Sequence, residues 1–164
     1  SMLNEGTTHH SAEEIASLFD YYGAYIDFNC GLNKSEISLI SLSKYAEKTI
    51  PMIAEMITQS VFPEKELEIY LTNKRQEFLV SIEKTSYLAH KKFAALLFGE
   101  KHPYANRITE KDYFEVTSSL LCEFYKQHIT AKNCRIIMCG NFNDDILKIT
   151  YVYFSLLNNP VSSL

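Results

Sequence analysis

Two short runs that alternate between apolar and polar residues interrupt a sequence whose spacing is otherwise helical. The runs are Ala24–Phe28 and Glu36–Leu42, and such alternation is typical of half-buried strands. The turn-forming residues 29–34 lie between them and predict a β-hairpin. Because apolar residues recur at helical spacing on both sides of this hairpin, the sequence predicts an α+β fold.

The residues before the hairpin predict a helix over positions 11–22 with both ends marked. Ser11 and Glu14 form the S-x-x-E capping box at its start. Gly23 supplies the left-handed residue that ends it. The stripe expected to face the core comprises Ile15, Leu18, Phe19 and Tyr22.

Helical spacing returns after the hairpin and predicts two helices in succession. The first runs from about Lys44 to Ser60, and Pro51 inside it marks a kink or a break. Pro63 suits the first turn of the second, which continues into the eighties. Its expected inward stripe comprises Leu67, Leu71, Phe78 and Ile82.

The second half of the chain is also mainly helical in its pattern. A helix over 87–98 ends at Gly99, and a polar loop follows from 102 to 116. Thr117 is the expected N-cap of a helix over 118–129. The side chains expected on the packed side of that helix are Leu120, Leu121, Phe124 and Tyr125.

A third strand and a last helix complete the predicted order. Cys134–Cys139 is a short apolar run of strand character, and Asn143 can cap a helix that reaches Leu157. The order indicates helices packed on a mainly antiparallel sheet. Three strands are few for so many helices, so further strands are expected upstream or from a partner.

Length, charge and cysteine content exclude several classes of protein. The 164 residues suit one domain, and the formal net charge of -4 with scattered Lys and Arg gives no nucleic-acid footprint. No apolar run approaches the roughly 20 residues that span a bilayer. The four cysteines lack a C-x-x-C pair and are interpreted as buried free thiols. They are Cys30, Cys122, Cys134 and Cys139.

No set of residues in the sequence forms a recognisable active site. His10 and Glu14 have the spacing of two zinc ligands on one helical face. His10 precedes the cap, however, and Glu14 is needed by the capping box, so a solvated loop is the better interpretation of His9 and His10. The other histidines show no partner set; we expect His90 to be exposed or partly covered, His102 to anchor its loop through a hydrogen bond, and His128 to lie near a helix C-terminus.

Five segments together resemble landmarks of the insulinase/pitrilysin type of zinc metallopeptidase, which includes the mitochondrial processing peptidases. They occur in the family's order, at compatible spacing, and extend over nearly the whole chain. The segments are Met2–Thr7, Ser11–Ala24, Val61–Leu67, Leu97–Gly99 with His102–Tyr104, and Cys134–Phe142.

The resemblance implies one metallopeptidase (LuxS/processing-peptidase-like) domain over 1–164, truncated at the N-terminus and lacking its first strands. In active members an H-x-x-E-H helix supplies two zinc ligands and a base, and a glutamate on a later helix supplies the third ligand. Zinc then activates water for attack on a peptide carbonyl. The H-x-x-E-H motif is absent here and, by the resemblance, would end just before Met2.

The helix that carries the third ligand also departs from the family pattern. Active members have a pair of glutamates where this chain has Val80 and Ser81, and a serine is a poor zinc ligand. A slip of a few residues would make Glu77 or Glu83 the ligand, so both stay weak alternatives. A further departure is Asp27-Phe28, which stands where active members often carry Asn-Ala.

The resemblance therefore implies a non-catalytic domain, with no catalytic residue in this chain and zinc in a catalytic partner domain. Such a domain would wall a chamber for peptides or unfolded polypeptide and pair with a homologous catalytic half. Strand addition is the expected binding mode. The expected edge strand comprises Ala24, Tyr25, Ile26, Asp27, Phe28 and Asn29.

Two other functions remain open at this point. One is an active zinc endopeptidase whose H-x-x-E-H motif lies upstream. The other is a protein-binding scaffold with no proteolytic role. The expected setting is bacterial, and the compartment stays open between periplasm and cytoplasm.

Overall fold

A computed structural model of the chain describes residues 1–105 and 108–158. It confirms the predicted α+β class, with helices that far outnumber the strands. In chain order the elements are α1 (Ala12–Tyr21), β1 (Tyr25–Cys30), β2 (Ser35–Ile40), α2 (Ala46–Thr58), α3 (Glu64–Ile82), α4 (Thr85–Phe98), α5 (Asp112–Glu115), α6 (Ser118–His128) and α7 (Asp144–Phe154).

The ends of α1 are set by the residues that the sequence indicated. The Ser11 hydroxyl accepts a hydrogen bond from the Glu14 backbone N–H, and the Glu14 carboxylate accepts one from the Ser11 backbone N–H. Gly23 follows with φ +58°, a left-handed conformation that costs a glycine little. The capped helix and its stop are therefore confirmed, with Ile15 and Phe19 buried on the predicted face.

The hairpin is also confirmed, and its register decides which side chains reach the core. β1 and β2 are antiparallel, with Ile26 opposite Leu39 and Phe28 opposite Ile37. These four side chains are partly buried against the core formed by α1 and α2. Since side chains alternate across a strand, Tyr25 and the other odd-numbered residues of β1 lie on the exposed face.

Helix α2 is the centre of the packing, because apolar elements cover it on several sides. Met56 and Thr49 are the largest of its fully buried side chains. Pro51 lies inside α2, which continues unbroken to Thr58, so a break at the proline is excluded. Two groups of buried residues meet this helix: one comprises Ile15, Phe19, Met52, Ile53 and Met56, the other Ala46, Ile50 and Ile146.

The predicted third strand has no ladder partner in the described part of the chain. Cys134 is extended, with φ -102° and ψ 139°, but no backbone–backbone hydrogen bond or β-bridge involves residues 135–139 among the described residues. Met138 packs on the core beside Ala46, whereas Ile137 is 82% exposed. A strand is defined by pairing, so this prediction was wrong for the described residues, although the backbone at Cys134 has the predicted extended shape.

Three other predictions need correction. The loop from 102 to 116 is not wholly irregular, because it contains α5. Thr117 caps α6 as predicted, but Leu120 and Phe124 are exposed rather than packed. The cysteines are free, as predicted, but Cys30, Cys134 and Cys139 are exposed and Cys122 is half-buried.

The chain exposes far more surface than a compact protein of its size. Its accessible surface is 12089 Å² for 18.9 kDa, whereas a compact monomer of that mass exposes about 8,300 Å². In α3 only Leu67 is buried, and no residue of α4 is. The predicted inward residues Leu71, Phe78 and Ile82 are half-buried. Large apolar side chains are thus left open on the second half of the chain.

We expect Met56→Ala to lower the free energy of unfolding by about 2–5 kcal/mol, because it removes a fully buried side chain from the centre of the core. Leu96→Ala is the matched control, since Leu96 is 87% exposed, and we expect a change within about 0.5 kcal/mol. Urea denaturation of both variants measures the difference. Equal effects would show that α2 is not the centre of the fold.

Candidate functional site

The two weak zinc-ligand alternatives lie on the surface of the helix that the family resemblance singled out. Glu77 is exposed, and its carboxylate lies 2.7 Å from the Lys74 ammonium. Glu83 is the exposed residue just after α3. No group of three or more His, Cys, Asp or Glu that could hold a metal ion occurs within residues 1–105 and 108–158. The described residues therefore hold no complete set of zinc ligands of their own.

The positions that correspond to the family's glutamate pair are occupied by side chains with other contacts. Val80 is 56% exposed. The Ser81 hydroxyl donates a hydrogen bond of 2.7 Å to the Glu77 backbone carbonyl, one turn earlier in α3. A hydroxyl bonded within its own helix is not presented to a metal.

The expected peptide-binding strand coincides with β1, and its outer edge is open. The Gly31 N–H donates to the Lys34 carbonyl at 2.9 Å, which fixes the hydrogen-bonding phase of the hairpin. Because bonded and non-bonded pairs alternate in an antiparallel ladder, the N–H groups of Tyr25, Asp27 and Asn29 face β2. Those of Ile26 and Phe28 then face outward, where no second strand pairs with β1 among the described residues.

The side chains of β1 are divided between the core and the surface. Ile26 and Phe28 anchor the strand on the core, while Tyr25, Asp27 and Asn29 are exposed. Ala24 precedes the strand and donates its N–H to the Phe19 carbonyl at 2.9 Å, which ties the strand's start to α1. The arrangement holds an extended backbone in place with its outer hydrogen-bonding groups available.

A polar cluster formed by Thr7, His10 and Glu55 was not predicted from the sequence. His10 Nδ1 lies 2.8 Å from a carboxylate oxygen of Glu55, and the Thr7 hydroxyl donates to the same oxygen. The placement of His10 in a solvated loop was therefore wrong, although the capping role of Glu14 is confirmed. No local signal connects these residues, since His10 and Glu55 are 45 positions apart.

The environment of Glu55 favours its charged form. Burial alone would raise the pKa of Glu55, but hydrogen bonds from His10 and Thr7, and the positive character of the neighbouring histidines, lower it below 4.5. The Thr8 N–H donates to the Gln59 carbonyl at 3.1 Å beside this cluster. The cluster thus fastens the N-terminal segment to the end of α2.

The remaining histidines have local roles. His90 is exposed, as expected. His102 Nδ1 accepts a hydrogen bond of 3.2 Å from the Tyr104 backbone N–H, which confirms the predicted loop anchor. His128 lies in the last turn of α6, with its ring 4.2 Å from that of Phe124.

Sequence comparison finds relatives among bacterial proteins named as proteases. No family model matches the chain. An uncharacterized zinc protease of Rickettsia felis is 26% identical over 146 residues, which cover 88% of this chain and 35% of that protein. Another from Rickettsia bellii is 26% identical over 165 residues, which cover 99% of this chain and 40% of the relative.

Solved structures show the same fold. A peptidase M16 inactive domain from Pseudomonas fluorescens superposes with a TM-score of 0.85 at 24% identity, and a protease from Helicobacter pylori with 0.83 at 16% identity. Each match covers 99% of this chain and 40% of the other. The chain therefore spans less than half the length of the proteins that it resembles.

These findings confirm the predicted resemblance and fold: the chain is similar over most of its length to proteins named zinc proteases, and it has the fold of a peptidase M16 inactive domain. No helix of the described residues is long and apolar enough to cross a membrane.

We expect Glu55→Gln to lower the free energy of unfolding by about 1–3 kcal/mol at neutral pH, because it weakens charge-assisted hydrogen bonds to Thr7 and His10. The folded pKa of Glu55 is lowered from 4.5. The stabilisation is therefore full above that pH and is lost as the pH falls through the lowered folded pKa. Urea denaturation of both proteins from neutral to acidic pH measures this convergence.

Glu83→Gln is the matched control for that comparison, because Glu83 is exposed and lies after the end of α3. It should change stability little at any pH. A Glu55→Gln effect that stays constant into the acidic range would contradict the assigned charge state of Glu55.

Proposed function

We propose that this chain is a non-catalytic domain that forms part of the wall of a peptide-binding chamber and packs against a zinc-bearing catalytic half. The observation that carries the proposal is the outer edge of β1, which no strand covers among the described residues and which is held extended on a folded core. The proteins that resemble the chain are more than twice its length, which leaves room in them for further domains.

The exposed surface supports packing against a large partner. The accessible area exceeds that of a compact monomer by about 3,800 Å², which is more than the roughly 1,000–2,500 Å² that each partner contributes to an extensive obligate interface. Apolar side chains contribute to it on separate elements, among them Phe93 and Leu97 on α4 and Ile137 in the extended segment. The backbone of 135–139 has no hydrogen-bonded partner strand among the described residues, so it adds hydrogen-bonding groups that a neighbouring strand would satisfy.

The described residues contain no set of zinc ligands, which supports a protein in which another domain holds the metal. Glu77 is neutralised by Lys74 at the surface, and Glu83 lies beyond the end of α3. In this proposal zinc is held by the catalytic half, where it would polarise the peptide carbonyl and activate water. This domain would hold the substrate rather than react with it.

Binding by strand addition would accept peptides of many different sequences. The outward N–H and C=O groups of Ile26 and Phe28 can pair with any extended backbone, whatever its side chains. The exposed side chains beside them, Tyr25, Asp27 and Asn29, are a ring, a carboxylate and an amide. The inward side chains stay on the core, so β1 need not move to accept a peptide.

We expect Glu77→Gln and Glu83→Gln to leave the zinc content of the natural full-length protein unchanged, because neither carboxylate belongs to a ligand cluster in the described residues. Elemental analysis of the purified variants, with a peptide-cleavage assay in parallel, measures both properties. Loss of bound zinc in either variant would make this chain part of an active endopeptidase site. Intact protein with no zinc and no cleavage in any assembly would favour a scaffold instead.

We expect the amides of Ile26 and Phe28 to exchange rapidly with deuterium in the free domain and to become protected when an extended peptide is added. The Asp27 amide is the internal control, because it faces β2 and is protected in both states. Residue-resolved NMR exchange with a hexapeptide of alternating threonine and valine makes the measurement. Unchanged exchange at Ile26 and Phe28 under saturating peptide would refute binding at this edge.

A further inference from the structure

The tip of the hairpin is tied to a distant loop by one side-chain hydrogen bond. The Tyr104 hydroxyl donates to Asn33 Oδ1 at 2.6 Å, across 71 positions of sequence. Asn33 lies in the turn between β1 and β2, and Tyr104 lies in the short 3-10 turn Pro103–Ala105 that follows α4. The bond therefore joins the hairpin to the loop region that carries the His-Pro-Tyr sequence.

The Tyr104 ring is fixed before its hydroxyl reaches Asn33. It packs edge-on against Phe98 at 5.1 Å and against His102 at 4.9 Å between ring centroids. Its backbone N–H donates to His102 Nδ1. Gly99, with φ +89°, ends α4 and turns the chain into this loop. A ring that packs against two other rings, on a backbone held by its own hydrogen bond, loses little further freedom when it forms the bond to Asn33, so that bond is favoured despite its exposure.

The tip of the hairpin lacks the core contacts that hold its other end. Residues 29–36 are all exposed, and the inward side chains begin at Phe28 and Ile37. A two-stranded hairpin is at best marginally stable on its own. Without an anchor, the last pairs of the ladder, Asn29 with Glu36 and Cys30 with Ser35, would open readily.

We propose that Tyr104 is a positioning residue for peptide binding at β1, acting through Asn33 to hold the hairpin tip closed. This inference rests on the proposed function, because it concerns the same edge strand. An edge that is already extended binds a strand with less loss of conformational entropy than one that must first be ordered. Tyr104 thereby keeps the outward N–H and C=O groups of β1 near Phe28 in the extended arrangement that a peptide would bind. It does so without contacting the peptide.

The first test follows the hairpin itself and needs no ligand. In Tyr104→Phe the Asn29 amide should exchange about threefold to tenfold faster than in the wild type, as expected for the loss of one hydrogen bond. The Tyr25 amide lies at the far end of the ladder and should be unaffected. Unchanged exchange at Asn29 would overturn the inference.

The second test measures binding of a labelled hexapeptide of alternating threonine and valine by fluorescence anisotropy. Tyr104→Phe and Asn33→Ala should each weaken binding about threefold to tenfold, and the double variant should be no weaker than either. Asn33→Asp keeps an acceptor oxygen and should restore most of the affinity. Tyr151→Phe is the matched control, since Tyr151 is 78% exposed on α7.

The outcomes separate this inference from the proposed function. A wild-type domain that does not bind the peptide refutes edge binding and, with it, the role of Tyr104. A wild-type domain that binds, with equal affinity in Tyr104→Phe, overturns the inference and leaves edge binding in place. Weaker binding with an unchanged thermal midpoint supports a positioning role, because a general loss of stability would lower the midpoint.

Discussion

The burial of α2 is the constraint on which the rest of the structure depends. Its side chains are shared between the two groups of buried residues, so α1 and the hairpin pack on one part of the helix and α7 on another. Met56 and Thr49 are fully enclosed by these contacts. The N-terminal segment is fastened to the same helix through Glu55. Removing α2 would leave each of these elements without a surface to cover.

The packing around α2 leaves free the surfaces on which the proposed role, the wall of a peptide-binding chamber, depends. The inward side chains of β1 are used by the core, which leaves the strand's outer edge presented in a fixed, extended shape. By contrast, α3 and α4 bury little, and residues 135–139 leave their backbone unpaired in the described chain. Such surfaces are stable in a longer protein, where other segments cover them.

Local elements were largely predictable, and the failures have a common origin. The features that were predicted correctly depend on residues close together in the chain, so they can be read from the sequence. They are the capping box at Ser11, the N-caps Thr117 and Asn143, and the alternation in β1. Leu120 and Phe124 have helical spacing, yet they are exposed because no described element covers α6 there. The run from Cys134 likewise has strand character, but no strand pairs with it in the part of the chain that the structure describes. Periodicity shows which face is apolar, not whether a neighbour is present.

By itself, the sequence determined the class of fold, the hairpin, most of the helices and the family resemblance, and it gave the expectation that Ser81 replaces the third ligand. These depend on residue types at fixed short spacing, which can be read along the chain. Only the tertiary structure decided that Glu55 pairs with His10 and that the Tyr104 hydroxyl forms a hydrogen bond with Asn33. It also decided that the outer edge of β1 lies open among the described residues. Each of these results depends on where distant segments lie in space, because burial and hydrogen bonding are set by contacts between elements rather than by order in the chain.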